Sequence, residues 1–175
     1  MAKAKTVRSA ADVQALRATL RATAAHARNQ LRALVEADDI LSRLKFERLG
    51  CDPLDLNDSQ NLAEQIDQQA TYEAGVDALE MLMHRHPDRT WSFAPGAQSI
   101  GHDIQSDDGS VVAEVFAAVK PNNKNKLRND VEKIRGTPAL FRYVFFRSPG
   151  HSLSERQDGE VTVVSLGPRS HRAGG

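Results

Sequence analysis

The segment His102-Asp103-Ile104-Gln105-Ser106-Asp107-Asp108-Gly109-Ser110-Val111-Val112-Ala113-Glu114-Val115-Phe116 decides how the rest of the chain is arranged. Asp108-Gly109 between two β-prone arms predicts a two-residue hairpin turn, because glycine tolerates the positive φ that a type I′ turn demands. Pairing Asp107 with Ser110 and counting outwards sets Asp103 directly opposite Glu114. Directly opposed residues share a sheet face with Cβ atoms roughly 4.5 to 5.5 Å apart, and two like charges held so are destabilising unless something positive lies between them. A divalent cation would serve. The competing reading is a three-residue loop with a bulge, which shifts the register by one and sends the carboxylates to opposite faces.

The arms are read as Ile100 to Gln105 and Val111 to Lys120. The second is apolar on both faces through Val111, Val112, Val115, Phe116 and Val119, as expected of a central strand with helices packed on either side. Pro121-Asn122-Asn123 breaks it. A helix over about Lys124 to Arg135 follows, burying Leu127, Val131 and Ile134 and ended by Gly136 and Pro138. Leu140–Phe146 and Val161–Leu166 read as further strands, and Trp91-Ser92-Phe93 as a brief strand or packed loop.

Upstream, about Ala10 to Leu49 contains neither Gly nor Pro and predicts one long helix capped by Ser9 and ended by Gly50. Val13, Leu16, Leu20, Ala24, Ala27, Leu31, Leu34, Leu41 and Leu44 recur with a period near 3.5 residues, a stripe that buries itself either in a coiled coil with a second subunit or on its own domain. Arg17, Arg21, Arg28 and Arg32 lie along one side, either following a phosphate backbone or forming a solvated face. Cys51 to Asp58 reads as a connector. Ser59 caps a second helix reaching about His86, with Glu73, Asp77 and Glu80 along a common side and His84 and His86 as polar residues at its end. The division expected is a long helix over 1–50, an α/β core over 59–166 and a disordered tail over 167–175.

Charge balances at 23 basic against 23 acidic residues, which excludes a uniformly basic nucleic-acid binder; residues 1–50 are basic and 51–90 acidic. The single cysteine, Cys51, permits no intrachain disulfide and no cysteine-based zinc cluster, and it fits a reducing, cytoplasmic setting. No apolar run of about 18 residues is present to span a membrane. Glycine-rich phosphate loops, His-Glu-x-x-His and Gly-x-Ser-x-Gly motifs do not occur.

The segment His102 to Phe116, followed by a helix and a strand, resembles the PD-(D/E)xK nuclease superfamily over roughly Gln60 to Leu166. The resemblance implies an α/β (α+β) fold with a restriction-endonuclease-like core, a central mixed sheet flanked by helices, to which the long amino-terminal helix is added. It implies Asp103 and Glu114 as ligands of magnesium (or manganese), with Glu80, or Glu73, as the acid some members supply from the preceding helix. The lysine that such enzymes place two residues after the second acid is replaced by Phe116. Lys126 and Lys133, seven residues apart on one side of the next helix, become the candidates for aligning the attacking water, against an ordinary reading as solvated lysines. Lys120, Lys124, Lys126 and Arg128, with Asn122, Asn123 and Asn125, form a basic patch suited to phosphate oxygens.

The function expected is a magnesium-dependent nuclease acting on DNA, with dimerisation through the first helix. The alternative is a degenerate member of the same fold that binds a nucleic acid or a protein and cleaves nothing. A third reading is a coiled-coil protein whose globular part is only a cap.

Overall fold

Six consecutive residues, Val111 to Phe116, are buried, and the fold is built around them. The computed structural model describes residues 4–96 and 101–169. In chain order the elements are β1 (Lys5–Val7), α1 (Ala10–Leu34), α2 (Ile40–Phe46), β2 (Gly50–Asp52), β3 (Asp55–Gln60), α3 (Leu62–Arg85), β4 (Trp91–Phe93), β5 (Ile104–Ser106), β6 (Val111–Ala117), α4 (Lys126–Arg135), β7 (Phe141–Arg147), β8 (Leu153–Asp158) and β9 (Val161–Leu166). A single 3-10 turn, Asn123–Asn125, leads into α4.

Seven strands form a mixed sheet in the order β1-β4-β5-β6-β7-β9-β8, and β2 and β3 form a separate hairpin. β6, β7 and β9 run parallel, and the outer pairings are antiparallel. The fold is therefore α+β with a mixed sheet. Alternate residues of β6 serve two cores, as a central strand requires. Val111, Ala113 and Val115 pack with Leu16, Leu20, Leu79 and Leu82 of α1 and α3. Val112 and Phe116 pack with Leu127, Val131 and Ile134 of α4. Glu114 lies between Val112 and Phe116 in that alternation, so its side chain belongs to the α4 side.

The helix expected from Ala10 to Leu49 stops at Leu34. Ser9 does cap it, in a reciprocal capping box with Asp12. Beyond Leu34 the chain tightens, with Ala37 N–H donating to the Leu34 carbonyl at 2.9 Å. Asp38 and Asp39, both of low helix propensity, follow, and the Asp39 side chain makes no capping bond to the next helix. The short α2 follows, and Gly50 opens β2 instead of merely ending a helix. The apolar stripe offered as a subunit seam is covered within the chain: Val13, Leu16 and Leu20 enter the main core, and Ala27 and Leu34 pack on Leu62. Leu41, at the far end of the stripe, is exposed.

Cys51 to Asp58 is the β2–β3 hairpin rather than a connector, with Cys51 buried and the Asp52 carboxylate accepting from Leu54 N–H at 2.7 Å. The second helix is accordingly capped by Asn61, not Ser59. β8 pairs with β9 across the two-residue loop Gly159-Glu160, where Gly159 has φ +62°. Among the described residues no helix is long and apolar enough to cross a membrane. Ile100, expected at the start of the first hairpin arm, and residues 170–175 of the expected tail lie outside the described residues. Gly167 at the start of that tail is packed, and its carbonyl accepts from Arg147 Nε at 3.2 Å.

Candidate active site

The hairpin has the expected centre but a different turn, and its ladder ends at Ile104–Ala113, one residue short of Asp103 and Glu114. Ile104 pairs with Ala113 and Gln105 with Val112. Gly109 has φ +67°, whereas Asp108 is not among the residues with positive φ, so the turn is not type I′. It spans four residues, Asp107 to Ser110, with Gly109 N–H donating to the Ser106 carbonyl at 2.9 Å. Two-residue and four-residue loops share the same centre, so the pairing outside them is identical. The Asp108 carboxylate organises the turn, accepting from Ser106 Oγ (2.6 Å), Ser110 N–H (3.0 Å) and Ser110 Oγ (2.8 Å), and it is paired with Arg89. These bonds hold its pKa well below the usual carboxylate range.

Asp103, just before β5, and Glu114, in β6, open into one cavity of about 400 Å³. Its floor is the chain from Glu114 to Ala118, and its walls come from Asp67, Thr71 and Tyr72 of α3 and from Lys126, Asp130 and Lys133 of α4. Asp103 is 7% exposed. Its Oδ2 accepts from Val115 N–H at 2.8 Å and its Oδ1 from Gly96 N–H at 3.3 Å. Burial first, and the neighbouring Glu114 charge second, nevertheless push its pKa up to about 7. Tyr72 is likewise pushed far above its ordinary value by burial and by the charges of Asp52 and Asp103.

Glu114 is 3% exposed and fully engaged. Its Oε1 lies 2.7 Å from His102 Nδ1, and Lys133 Nζ straddles the carboxylate at 2.8 Å from Oε1 and 2.9 Å from Oε2. His102 Nε2 lies 3.1 Å from Thr137 Oγ1, so the ring is fixed at both nitrogens. With Nδ1–H donating to Glu114, Nε2 accepts from the Thr137 hydroxyl. Lys133 also donates to the Gly101 carbonyl at 3.2 Å, tying α4 to the segment before Asp103.

Phe116 stacks on Phe146, with ring centroids 5.9 Å apart, in the core beneath α4. Lys126 Nζ stands 5.7 Å from the Phe116 ring centroid and donates to Asp130 Oδ1 at 2.8 Å. Both expected lysines thus reach the cavity from α4. Two consecutive left-handed residues, Lys124 (φ +51°) and Asn125 (φ +58°), set the start of that helix. Asp130 is 5% exposed, its Oδ2 has no hydrogen-bond partner among the described residues, and burial raises its pKa despite Lys126.

Glu80 and Glu73 do not reach the cavity. Glu80 pairs with Arg17 at 2.7 Å, and Glu73 pairs with Arg169 at 2.5 Å while accepting from Gln69. The face of α3 carrying residues 73, 77 and 80 meets arginines, whereas Asp67, Gln68 and Thr71 face the cavity. Lys120, Lys124 and Arg128 lie exposed outside the cavity walls, and Arg128 is paired with Glu132 at 2.8 Å. His84 is exposed, while His86 packs on Phe141 and bonds the Tyr143 hydroxyl at 3.0 Å, a structural role.

His102, Thr137 and Asp130 were not assigned roles from the sequence. The signal for Asp130 was its spacing, four residues after Lys126 and three before Lys133, which puts all three on one side of α4. Among the described residues no three His, Cys, Asp or Glu side chains are grouped to hold a metal. The oxygen donors of Asp103 and Glu114 suit a hard cation that keeps most of its waters. Comparison with family models, curated proteins and solved structures finds no match to this chain.

Proposed function

We propose that this chain is a magnesium-dependent nuclease of restriction-endonuclease-like fold that hydrolyses DNA phosphodiester bonds. The observation that carries the reading is the Lys133 ammonium within 2.9 Å of both Glu114 oxygens, brought from α4 to an acid whose own strand offers only Phe116. Asp103 and Glu114 would hold the cation, which supplies an activated water and stabilises charge on the phosphate oxygen. Lys133 orients that water and donates to the phosphate, while His102, fixed by Thr137, keeps the Glu114 carboxylate in place. Lys126, held by Asp130, adds a second positive charge on the same wall.

The degenerate reading draws on one fact, that His102 and Lys133 already occupy the Glu114 carboxylate. Cleavage of supercoiled and linear DNA with magnesium or manganese separates the two. Wild-type protein cuts, Glu114→Ala and Lys133→Met lose at least about a hundredfold, in the range for removing a group that stabilises transition-state charge, and Lys126→Met loses less. Activity surviving Glu114→Ala sinks the site assignment. DNA binding without cleavage by the wild type establishes the binding module.

A further inference from the structure

A second cavity, of about 950 Å³, lies beside the first and has the opposite charge character. Arg17, Arg21, Arg147 and Arg169 line it with only Asp77 and Glu80 as acids, whereas the neighbouring site sets four carboxylates against two lysines. Asp77 braces two of the guanidinium groups at once, accepting from Arg17 Nη1 through Oδ1 and from Arg147 Nη2 through Oδ2, both at 2.6 Å. Glu80 adds a bond to Arg17 Nη2 at 2.7 Å. The two arginines are 17% and 16% exposed, so they are fixed in the wall, and each guanidinium keeps further N–H donors beyond those the acids use. Arg21, one helical turn after Arg17, is exposed and has no carboxylate partner among the described residues. Arg169 is held by Glu73 at the opposite rim.

The two cavities adjoin. Ala117 lines the carboxylate site, and its register neighbour on the parallel strand β7 is Arg147, at the usual strand spacing of about 4.8 Å. α3 borders both, and from Thr71 to Glu80 it covers about 13 Å, the span of a few nucleotides. Planar guanidinium forks match phosphate oxygens bidentately, and pre-fixed ones lose little freedom on binding.

We propose that this arginine groove, between α1, α3 and the carboxyl ends of β7 and β9, carries the phosphodiester backbone of the DNA strand whose scissile phosphate enters the Asp103–Glu114 cavity. The inference rests on the nuclease reading for the direction of the strand, and the acid-lined site explains why the groove is needed. A carboxylate-rich pocket repels a polyanion, so the attraction must come from beside it. The four-arginine stripe of α1 divides accordingly: Arg17 and Arg21 face the groove, and Arg28 and Arg32 lie outside it.

The test is fluorescence anisotropy of a labelled DNA duplex, and of its single strand, in EDTA, where binding is read without cleavage. Arg21→Glu/Arg169→Glu weakens binding about tenfold or more and reduces the slope of log affinity against log salt by about two, the loss of two phosphate contacts. Arg28→Glu/Arg32→Glu makes the same charge change on α1 and leaves affinity within about threefold. Because an acid introduced in place of Arg169 would face Glu73, Arg21→Gln/Arg169→Gln is measured beside it, with thermal melting of each variant, and shows the same direction of change. Equal loss in the control pair, no loss in either groove variant, no DNA binding by the wild type, or competition by polyglutamate as strong as by DNA each overturns the proposal. Failure of the nuclease reading is distinguishable, since it removes cleavage and leaves this binding pattern untouched.

Discussion

Replacing Asp103 by Asn should make the protein more stable while removing the group assigned to the cation. The carboxyl has a pKa near 7 in the folded chain against 3.8 for the free side chain, because burial and Glu114 disfavour its charge. As pH rises the unfolded chain gives up this proton first, so the folded state holds more protons and stability falls with pH. The contribution is fully present below the unfolded pKa and is lost as pH passes through the folded one. From about pH 5 to about pH 8 the loss amounts to roughly 2 to 3 kcal/mol. Asn keeps one acceptor for Val115 N–H and turns an amide towards Gly96 N–H, losing one hydrogen bond and about 1 kcal/mol. At about pH 8 the variant should therefore exceed the wild type by about 2 to 3 kcal/mol, and at about pH 5 the two should agree within about 1 kcal/mol. Urea unfolding followed by circular dichroism in EDTA reads both values. A difference that does not grow with pH, or a variant less stable than the wild type at the higher pH, refutes the account of Asp103 as a carboxyl whose charge is disfavoured by burial and by Glu114.

Lys126→Met removes the ammonium partner of a buried carboxylate and should cost about 1 to 2 kcal/mol, discounted for the half-exposed lysine, with Lys126→Met/Asp130→Asn recovering most of it in urea unfolding. No recovery in the double variant would mean that Asp130 is not the source of the cost. Gly167→Ala should destabilise by about 2 kcal/mol or more, since φ is +69° and a Cβ would meet Leu153 N at 2.9 Å, while Gly159→Ala, at φ +62° with no heavy atom nearer than 3.9 Å, should cost about 1 kcal/mol. Equal melting temperatures for the two would show that the contact with Leu153 carries no weight.

The strands legible in the sequence are those whose side chains alternate between water and core or are apolar throughout. β6, β7 and β9 fall in this class, as does α4, whose Leu127, Val131 and Ile134 recur at helical spacing. β3 and β8 were not legible, because Asp55–Gln60 and Leu153–Asp158 are exposed almost throughout and owe their extended form to backbone pairing with β2 and β9. The Gly159 turn was a signal for the second of these. The end of α1 was hidden because Val35 to Phe46 contains no Gly or Pro and only Asp38-Asp39 as poor helix formers, and the packing of Leu34 on Leu62 fixes where the chain turns.

The sequence made the centre of the hairpin legible, since two-residue and four-residue loops about Asp108-Gly109 pair the arms identically, but only the structure excluded the three-residue loop and turned the Asp103 carboxylate onto Val115 N–H. The sequence by itself also determined that Lys126 and Lys133 share a side of α4. What only the tertiary structure decided is which charges meet across the chain: Lys133 with Glu114, Arg17 and Arg147 with Asp77, and Glu80 with Arg17 instead of with the acids of the cavity. Local periodicity specifies the face of an element on which a residue lies. Which element that face meets depends on how the sheet and helices pack, and that is set by the whole core at once.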